Sequence, residues 1–199
     1  MLKRIFDVVA SATGLLLLSP VFAIVAWQVR RKLGSPIFFR QIRPGVDGKP
    51  FQMIKFRTMR DAVDANGNPL PDSERITPFG RFLRSTSLDE LPEFWNVLKG
   101  DMSIVGPRPL LIEYLDYYTE EEQLRHSVRP GVTGLAQVTG RNATTWDQRL
   151  QYDVEYAKTH NLWMDIRIIF KTIKQVCKRE GVVVVPSEIY QKLSDERRK

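Results

Sequence analysis

The chain has 199 residues, 43% hydrophobic and 27% charged, enough for one compact domain plus an anchor and too few for two catalytic domains. Its net charge of +7 suits anionic partners: nucleic acid, lipid head groups or phosphorylated small molecules. One cysteine (Cys177) and two histidines (His126, His160) exclude an intramolecular disulfide and argue against structural zinc. Any metal would be a hard cation held by carboxylates and phosphates.

Residues 5–29, IFDVVASATGLLLLSPVFAIVAWQV, form an apolar run of roughly 25 residues, long enough to cross a bilayer if straight. It is too long for a signal peptide and no small-residue cleavage site follows it. Ser19-Pro20 interrupts it near the middle. Pro20 removes the hydrogen bond to the Leu16 carbonyl and bends the helix, while the Ser19 hydroxyl can satisfy a freed carbonyl. Lys3-Arg4 before the run and Arg30-Arg31-Lys32 after it make both flanks basic, which favours both ends on the cytoplasmic side. On this ground a re-entrant turn and a kinked single span are evenly matched, and either leaves the body cytoplasmic if the second basic flank controls orientation.

IFFRQIRPG and FQMIKFRTM flank a turn-rich stretch at Val46–Pro50 and predict a β-hairpin. The polar segment Asp61–Ser73 reads as a mobile loop. Helices are expected over Leu88–Lys99, stopped by Gly100, over about Pro109–Arg125, and over about Trp146–Thr159. In the last helix, LWMDIRIIFKTIKQVCKR, Leu162, Trp163, Ile166, Ile169, Phe170, Ile173 and Val176 fall largely on one side, with Arg167, Lys171, Lys174 and Lys178 on another. That pattern fits the surface of an anionic membrane or a helix packed on the core about equally well.

The densest chemistry lies in residues 81–109, RFLRSTSLDELPEFWNVLKGDMSIVGPRP. Asp89 and Glu90 are adjacent near a helix start, either in a capping box with Ser87 or in a loop ahead of Pro92. In both cases the helix N-terminus is expected to lower the pKa of Asp89, leaving it a nucleophile or metal ligand. On this fragment alone, helix capping is the simpler role for such acids. Lys55, Arg57, Arg81, Arg84 and Arg108 can converge on an anion, and flanking prolines restrict Arg108. In VRPGVTGLAQVTGRN, Gly131, Gly134 and Gly140 would let backbone N–H groups approach a phosphate, with Arg129 and Arg141 nearby. Walker A, G-x-G-x-x-G and G-x-S-x-G motifs are missing from the sequence. A membrane-anchored scaffold or nucleic-acid binder, and a membrane phosphatase using Asp89, stand as alternatives.

The broken apolar run, KFRTM (55–59), SLDELPEFWNVLKGDMSIVGPRP (87–109) and RPGVTGLAQVTGRN (129–142) resemble the bacterial sugar transferases, the monotopic phosphoglycosyl transferases, over about Lys3–Arg179. The chain is similar to the small members, and its PLLIEYL and LRHSVRPG stretches to those that start N-linked glycan assembly. The resemblance implies an α+β, mostly α fold: a re-entrant anchor over residues 1–33, then a cytoplasmic catalytic domain over 34–199 with a small β-hairpin and amphipathic helices around the site. It implies transfer of a sugar-1-phosphate from a UDP-sugar to polyprenyl (undecaprenyl) phosphate, releasing UMP, at the bacterial inner membrane. Asp89 and Glu90 match the family's acid dyad. Asp89 would be the nucleophile, forming a phosphosugar-enzyme intermediate, and would lie near Mg2+. Lys55, Arg57, Arg84, Arg108, Gln137, Arg141 and Asp153 would contact substrate. Expected partners are the UDP-sugar, the lipid phosphate, membrane lipid and downstream glycosyltransferases, with no nucleic acid.

Overall fold

The apolar N-terminal run forms two helices rather than one in the computed structural model, which describes residues 1–140, 145–178 and 192–197. Helices α1 (Leu2–Leu17) and α2 (Ser19–Leu33) meet at a bend of 64°. Pro20 occupies the first turn of α2, where its missing N–H is tolerated. The Ser19 hydroxyl donates to the Leu16 carbonyl at 2.8 Å, so the kink and its compensation are both as expected. Among the described residues no single helix is long and apolar enough to cross a membrane, and the bent pair meets that test only together.

The hairpin follows as expected. Strands β1 (Phe38–Pro44) and β2 (Pro50–Phe56) pair antiparallel, with Phe39 opposite Lys55 and Arg43 opposite Phe51. Within Asp61–Ser73 the chain makes a defined turn. The Asp64 carboxylate accepts the backbone N–H groups of Asn66 and Asn68, and Val63 bridges to Pro69. A short α3 (Asp72–Arg75) leads into α4 (Pro78–Ser85), capped by the Thr77 hydroxyl, which accepts from Gly80 N. A Cβ on Gly80 would lie 1.9 Å from the Thr58 carbonyl oxygen, so only glycine lets α4 lie this close to the end of the hairpin. After a 3₁₀ turn at Leu88–Glu90 comes α5 (Glu93–Lys99). Its buried Asn96 accepts from Ile54 N and donates to Gln52 O, satisfying the free edge of β2 and fixing α5 beside Lys55.

Strand β3 (Ser103–Val105) was not anticipated from the sequence. The single helix expected over Pro109–Arg125 breaks instead into a 3₁₀ segment at Ile112–Tyr117, a short α6 (Glu120–Gln123) and a 3₁₀ turn at Leu124–His126. Thr119 explains the break: its hydroxyl accepts from Glu122 N while the Glu122 carboxylate accepts from Thr119 N. This capping box requires extended backbone at Thr119 and so ends whatever precedes it. Strand β4 (Gly131–Thr133) pairs parallel with β3. Then come α7 (Leu135–Thr139), α8 (Trp146–Thr159, with the expected bounds), α9 (Leu162–Lys178) and α10 (Leu193–Glu196).

The main core gathers Met53, Val97, Met102, Ile104, Val105, Val138, Tyr156 and Ile168 between β2, α5, the β3–β4 pair and α9. Helix α9 divides the apolar face expected of it. Ile168 is buried and Ile169 packs on the core, whereas Trp163, Phe170 and Ile173 are exposed. The basic N-terminal flank also has a structural task. Arg4 donates to the Val97 and Leu98 carbonyls near the end of α5, and Lys3 pairs with buried Asp165 at 2.7 Å. Asp7, 1% exposed, accepts from Ser103 Oγ and Ile104 N. The first half of α1 is thus docked on the body, while Leu16, Leu17, Ile24 and Trp27 beyond it are exposed.

Candidate active site

The acid pair sits where α4 ends and α5 has not begun. Ser87 is not an N-cap: its φ of 54° places it in the left-handed region that closes α4. Asp89 and Glu90 follow in the 3₁₀ turn, and Pro92 precedes the first residue of α5. The two neighbouring carboxylates have opposite surroundings. Glu90 Oε1 accepts from Lys55 Nζ and from Arg108 Nη2, both at 2.7 Å. Asp89 is 7% exposed and makes no hydrogen bond or ion pair among the described residues.

Their acidities separate accordingly. Burial pushes Asp89 up to about 6, reinforced by repulsion from Glu90 and opposed by Lys55, Arg84 and Arg108. This corrects the sequence expectation of a lowered pKa. The nearest helix is short and Asp89 lies outside it, so desolvation outweighs any dipole. Burial acts upward on Glu90 as well, but contact with Arg108 and Lys55 brings it down to about 2. Across this pair the proton sits by preference on Asp89.

A third carboxylate, Glu93, completes the cluster. It is 2% exposed and lies 2.9 Å from Lys55 Nζ, with burial raising it to about 7 against the pull of that lysine. Sequence reasoning missed it because it reads as an ordinary first-turn acid. Its one signal is helical spacing, which puts Glu90 and Glu93 on neighbouring positions facing Lys55.

The structure brings Lys55, Asp89, Glu90 and Arg108 together. Arg84 approaches from α4, with Nε donating to Thr58 Oγ1 at 3.2 Å and its charge felt by Asp89. Arg57 is buried and already occupied, donating to the Met59 and Ser35 carbonyls and to Asp61 at 2.6 Å. Asp153 lies behind the site, paired with buried Arg125 at 2.7 Å. Arg125 in turn donates to the Arg108 carbonyl at 2.7 Å, so Asp153 supports Arg108 through a relay. Arg125, which the sequence did not single out, is the link. Gln137 donates to the Val132 carbonyl, and its Oε1 is buried without a partner among the described residues. Arg141 lies outside the described residues.

Gly131 and Gly134 have a packing task that the sequence did not announce. A Cβ on Gly131 would lie 2.1 Å from Gly106 N, and one on Gly134 would lie 2.2 Å from Gly106 O. They let the β4 strand and the turn after it press against Gly106, and that close approach of two backbones holds the Pro107-Arg108-Pro109 segment in place.

No group of three or more His, Cys, Asp or Glu side chains among the described residues could hold a metal unaided. The free Asp89 carboxylate can supply one oxygen. That fits Mg2+, which commonly takes one or two carboxylates and completes its shell with substrate phosphate and water.

Residues 1–179 match the family described as bacterial sugar transferase. A Bacillus subtilis (strain 168) protein named uncharacterized sugar transferase EpsL is 49% identical over 181 residues, covering 91% of this chain and 90% of that one. A UDP-glucose:undecaprenyl-phosphate glucose-1-phosphate transferase of Klebsiella pneumoniae is 42% identical over 86% of this chain. An undecaprenyl-phosphate galactose phosphotransferase of Salmonella typhimurium is 42% identical over 90%. This chain spans only 39% and 41% of those two longer proteins. The chain belongs to the bacterial sugar transferase family.

Proposed function

We propose that this protein transfers a sugar-1-phosphate from a UDP-sugar to polyprenyl (undecaprenyl) phosphate, giving a polyprenyl-diphosphate sugar and UMP. The observation that carries this reading is the asymmetry of the dyad: Glu90 is held by two cations, while Asp89 is buried and unengaged among the described residues. A desolvated carboxylate without a partner is a competent nucleophile. The names of the two longer relatives supply the donor and acceptor classes.

In the first step an Asp89 oxygen attacks the phosphorus bearing the sugar. The bond from that phosphorus to the bridging oxygen breaks, and UMP leaves with the electron pair. In the second step an oxygen of the lipid phosphate attacks the same phosphorus, and Asp89 departs as carboxylate. Lys55 and Arg108 hold Glu90 ionised and can shift toward phosphoryl oxygens as charge builds. Bound Mg2+, held by Asp89 and the diphosphate, would neutralise phosphate charge.

The bent α1–α2 pair, with exposed apolar residues beyond its docked first half, is read as a re-entrant anchor in the inner membrane, with the body on the cytoplasmic face. Docking of Lys3 and Arg4 on the body supports that topology, since α2 also leads back into the body through Gly34. The exposed Trp163, Phe170 and Ile173 of α9, beside Arg167, Lys171 and Lys174, suit anionic head groups.

Incubating the purified chain with a panel of UDP-sugars, with and without polyprenyl phosphate, tests the reaction. The expected result is UMP at about one equivalent of enzyme without acceptor and continuous release with it. Release of free phosphate, or no response to the acceptor, would point to a hydrolase instead.

A further inference from the structure

Arg43 differs from four of the cations around the site because it has no counter-ion among the described residues. Lys55, Arg57, Arg108 and Arg125 each hold a carboxylate. Arg43 donates through Nη2 to Gln41 Oε1 at 2.7 Å, its Nε–H is buried without an acceptor, and it makes no ion pair among the described residues.

Its position is fixed by the hairpin. Directly opposed residues of an antiparallel pair share a face, and so do alternate residues along each strand. Arg43 opposite Phe51 and Phe39 opposite Lys55 therefore put Arg43 and Lys55 on one face, together with Phe51 and Met53, which pack into the core. Pro44, next in the chain, lines a small recess with Arg108, Arg125 and His126. Burial and then repulsion from Arg108 lower the Arg43 guanidinium to about 10, while Glu93 acts in the other direction. Like charge on neighbouring guanidinium groups, one with a buried donor that lacks an acceptor among the described residues, is unfavourable unless an anion offsets it. A structural arginine would be satisfied by protein, as Arg57 is by Ser35, Met59 and Asp61.

From this juxtaposition we infer that Arg43 is a phosphate-binding residue that grips, together with Arg108, a phosphate group of a substrate. The inference rests on the transferase reading for the identity of that phosphate, either the donor's diphosphate or the head group of the lipid acceptor. An oxyanion between the two guanidinium groups satisfies the buried Nε–H and replaces repulsion with two charge-assisted contacts.

The test compares wild type, Arg43→Met and Arg43→Lys as full-length protein in detergent, first by thermal melting with and without inorganic pyrophosphate. Wild type should be stabilised by pyrophosphate. The Met variant should melt at or above wild type without the anion and lose that stabilisation, and the Lys variant should keep part of it. In turnover, the Met variant should raise one KM by roughly tenfold to a hundredfold, the size of one charge-assisted hydrogen bond. A change confined to the UDP-sugar KM assigns Arg43 to the donor, and one confined to the polyprenyl phosphate KM assigns it to the acceptor. A Met variant that melts well below wild type without the anion, or keeps the full pyrophosphate shift and both KM values, overturns the inference. Wild type that releases no UMP from any UDP-sugar refutes the transferase reading alone, and the melting comparison still decides the role of Arg43.

Discussion

Two buried ionic clusters lie back to back in this protein, and they are built on opposite terms. Behind the site, Arg125 is spent on Asp153, the Arg108 carbonyl and the Tyr118 hydroxyl. In front, Lys55 is shared between Glu90 and Glu93, while among the described residues Asp89 has no partner and Arg43 no counter-ion. A fully satisfied network fixes geometry, and an incompletely satisfied one stores the capacity to bind or react. The rear cluster holds Arg108 by its backbone so that the front cluster can use its side chain.

That contrast breaks if the front cluster behaves as a structural one. The largest expected effect is at Asp89. Asp89→Asn should lower UMP release by about 10³-fold or more while leaving thermal stability unchanged or raised, because it removes an unpaired buried charge. In wild type the rate of UMP release should fall as pH drops through about 6, where Asp89 takes up its proton. A rate insensitive to that protonation would assign the nucleophile elsewhere. Asp153→Ala should do the reverse, costing about 3–5 kcal/mol of stability in chemical unfolding by leaving Arg125 buried and unpaired. Stability within error of wild type would show the rear pair to be dispensable.

Smaller effects sharpen the comparison within the front cluster. Glu90→Gln should slow UMP release by about 10²-fold through loss of the carboxylate that positions Lys55 and Arg108, without abolishing labelling of the enzyme. Glu93 has the smallest effect and a defined sign. Its pKa is raised from 4.5 to about 7, so the folded state keeps a proton that the unfolded chain has lost, and stability declines as pH rises across that interval. Glu93→Gln should remove up to about 3 kcal/mol of this decline, seen as a flatter dependence of unfolding midpoint on pH. An unchanged slope would show that Glu93 is ionised throughout.

Much of this was legible in the sequence, where local rules decide. The Ser19-Pro20 kink depends on chemistry within one turn, and the hairpin and α8 follow from pattern and turn residues. The meeting of Lys55, Asp89, Glu90 and Arg108 was also foreseen, through motifs long enough to carry family resemblance. What escaped depends on distant partners. The glycine motif reads as a phosphate loop until Gly106 is found against Gly131. The acidity of Asp89 turns on burial that no helix-start rule reports. The break near Thr119 is a local Thr-x-x-Glu capping box that the expectation of one helix overlooked, whereas Tyr114 and Tyr118 joining Trp146, Leu150 and Leu193 in a separate core rests on distant contacts.

If Asp89 carries the sugar phosphate between two substrates, the protein can be caught with that group attached. The most direct measurement is the intact mass of the protein after brief exposure to its UDP-sugar without lipid acceptor, with peptide mapping of any adduct. With Asp89 as the carrier, the expected result is a gain of one sugar-phosphate unit on the peptide containing Asp89, discharged by polyprenyl phosphate and missing in Asp89→Asn. Multiple turnovers on adding acceptor, with no adduct under rapid quench and full activity in Asp89→Asn, would contradict it.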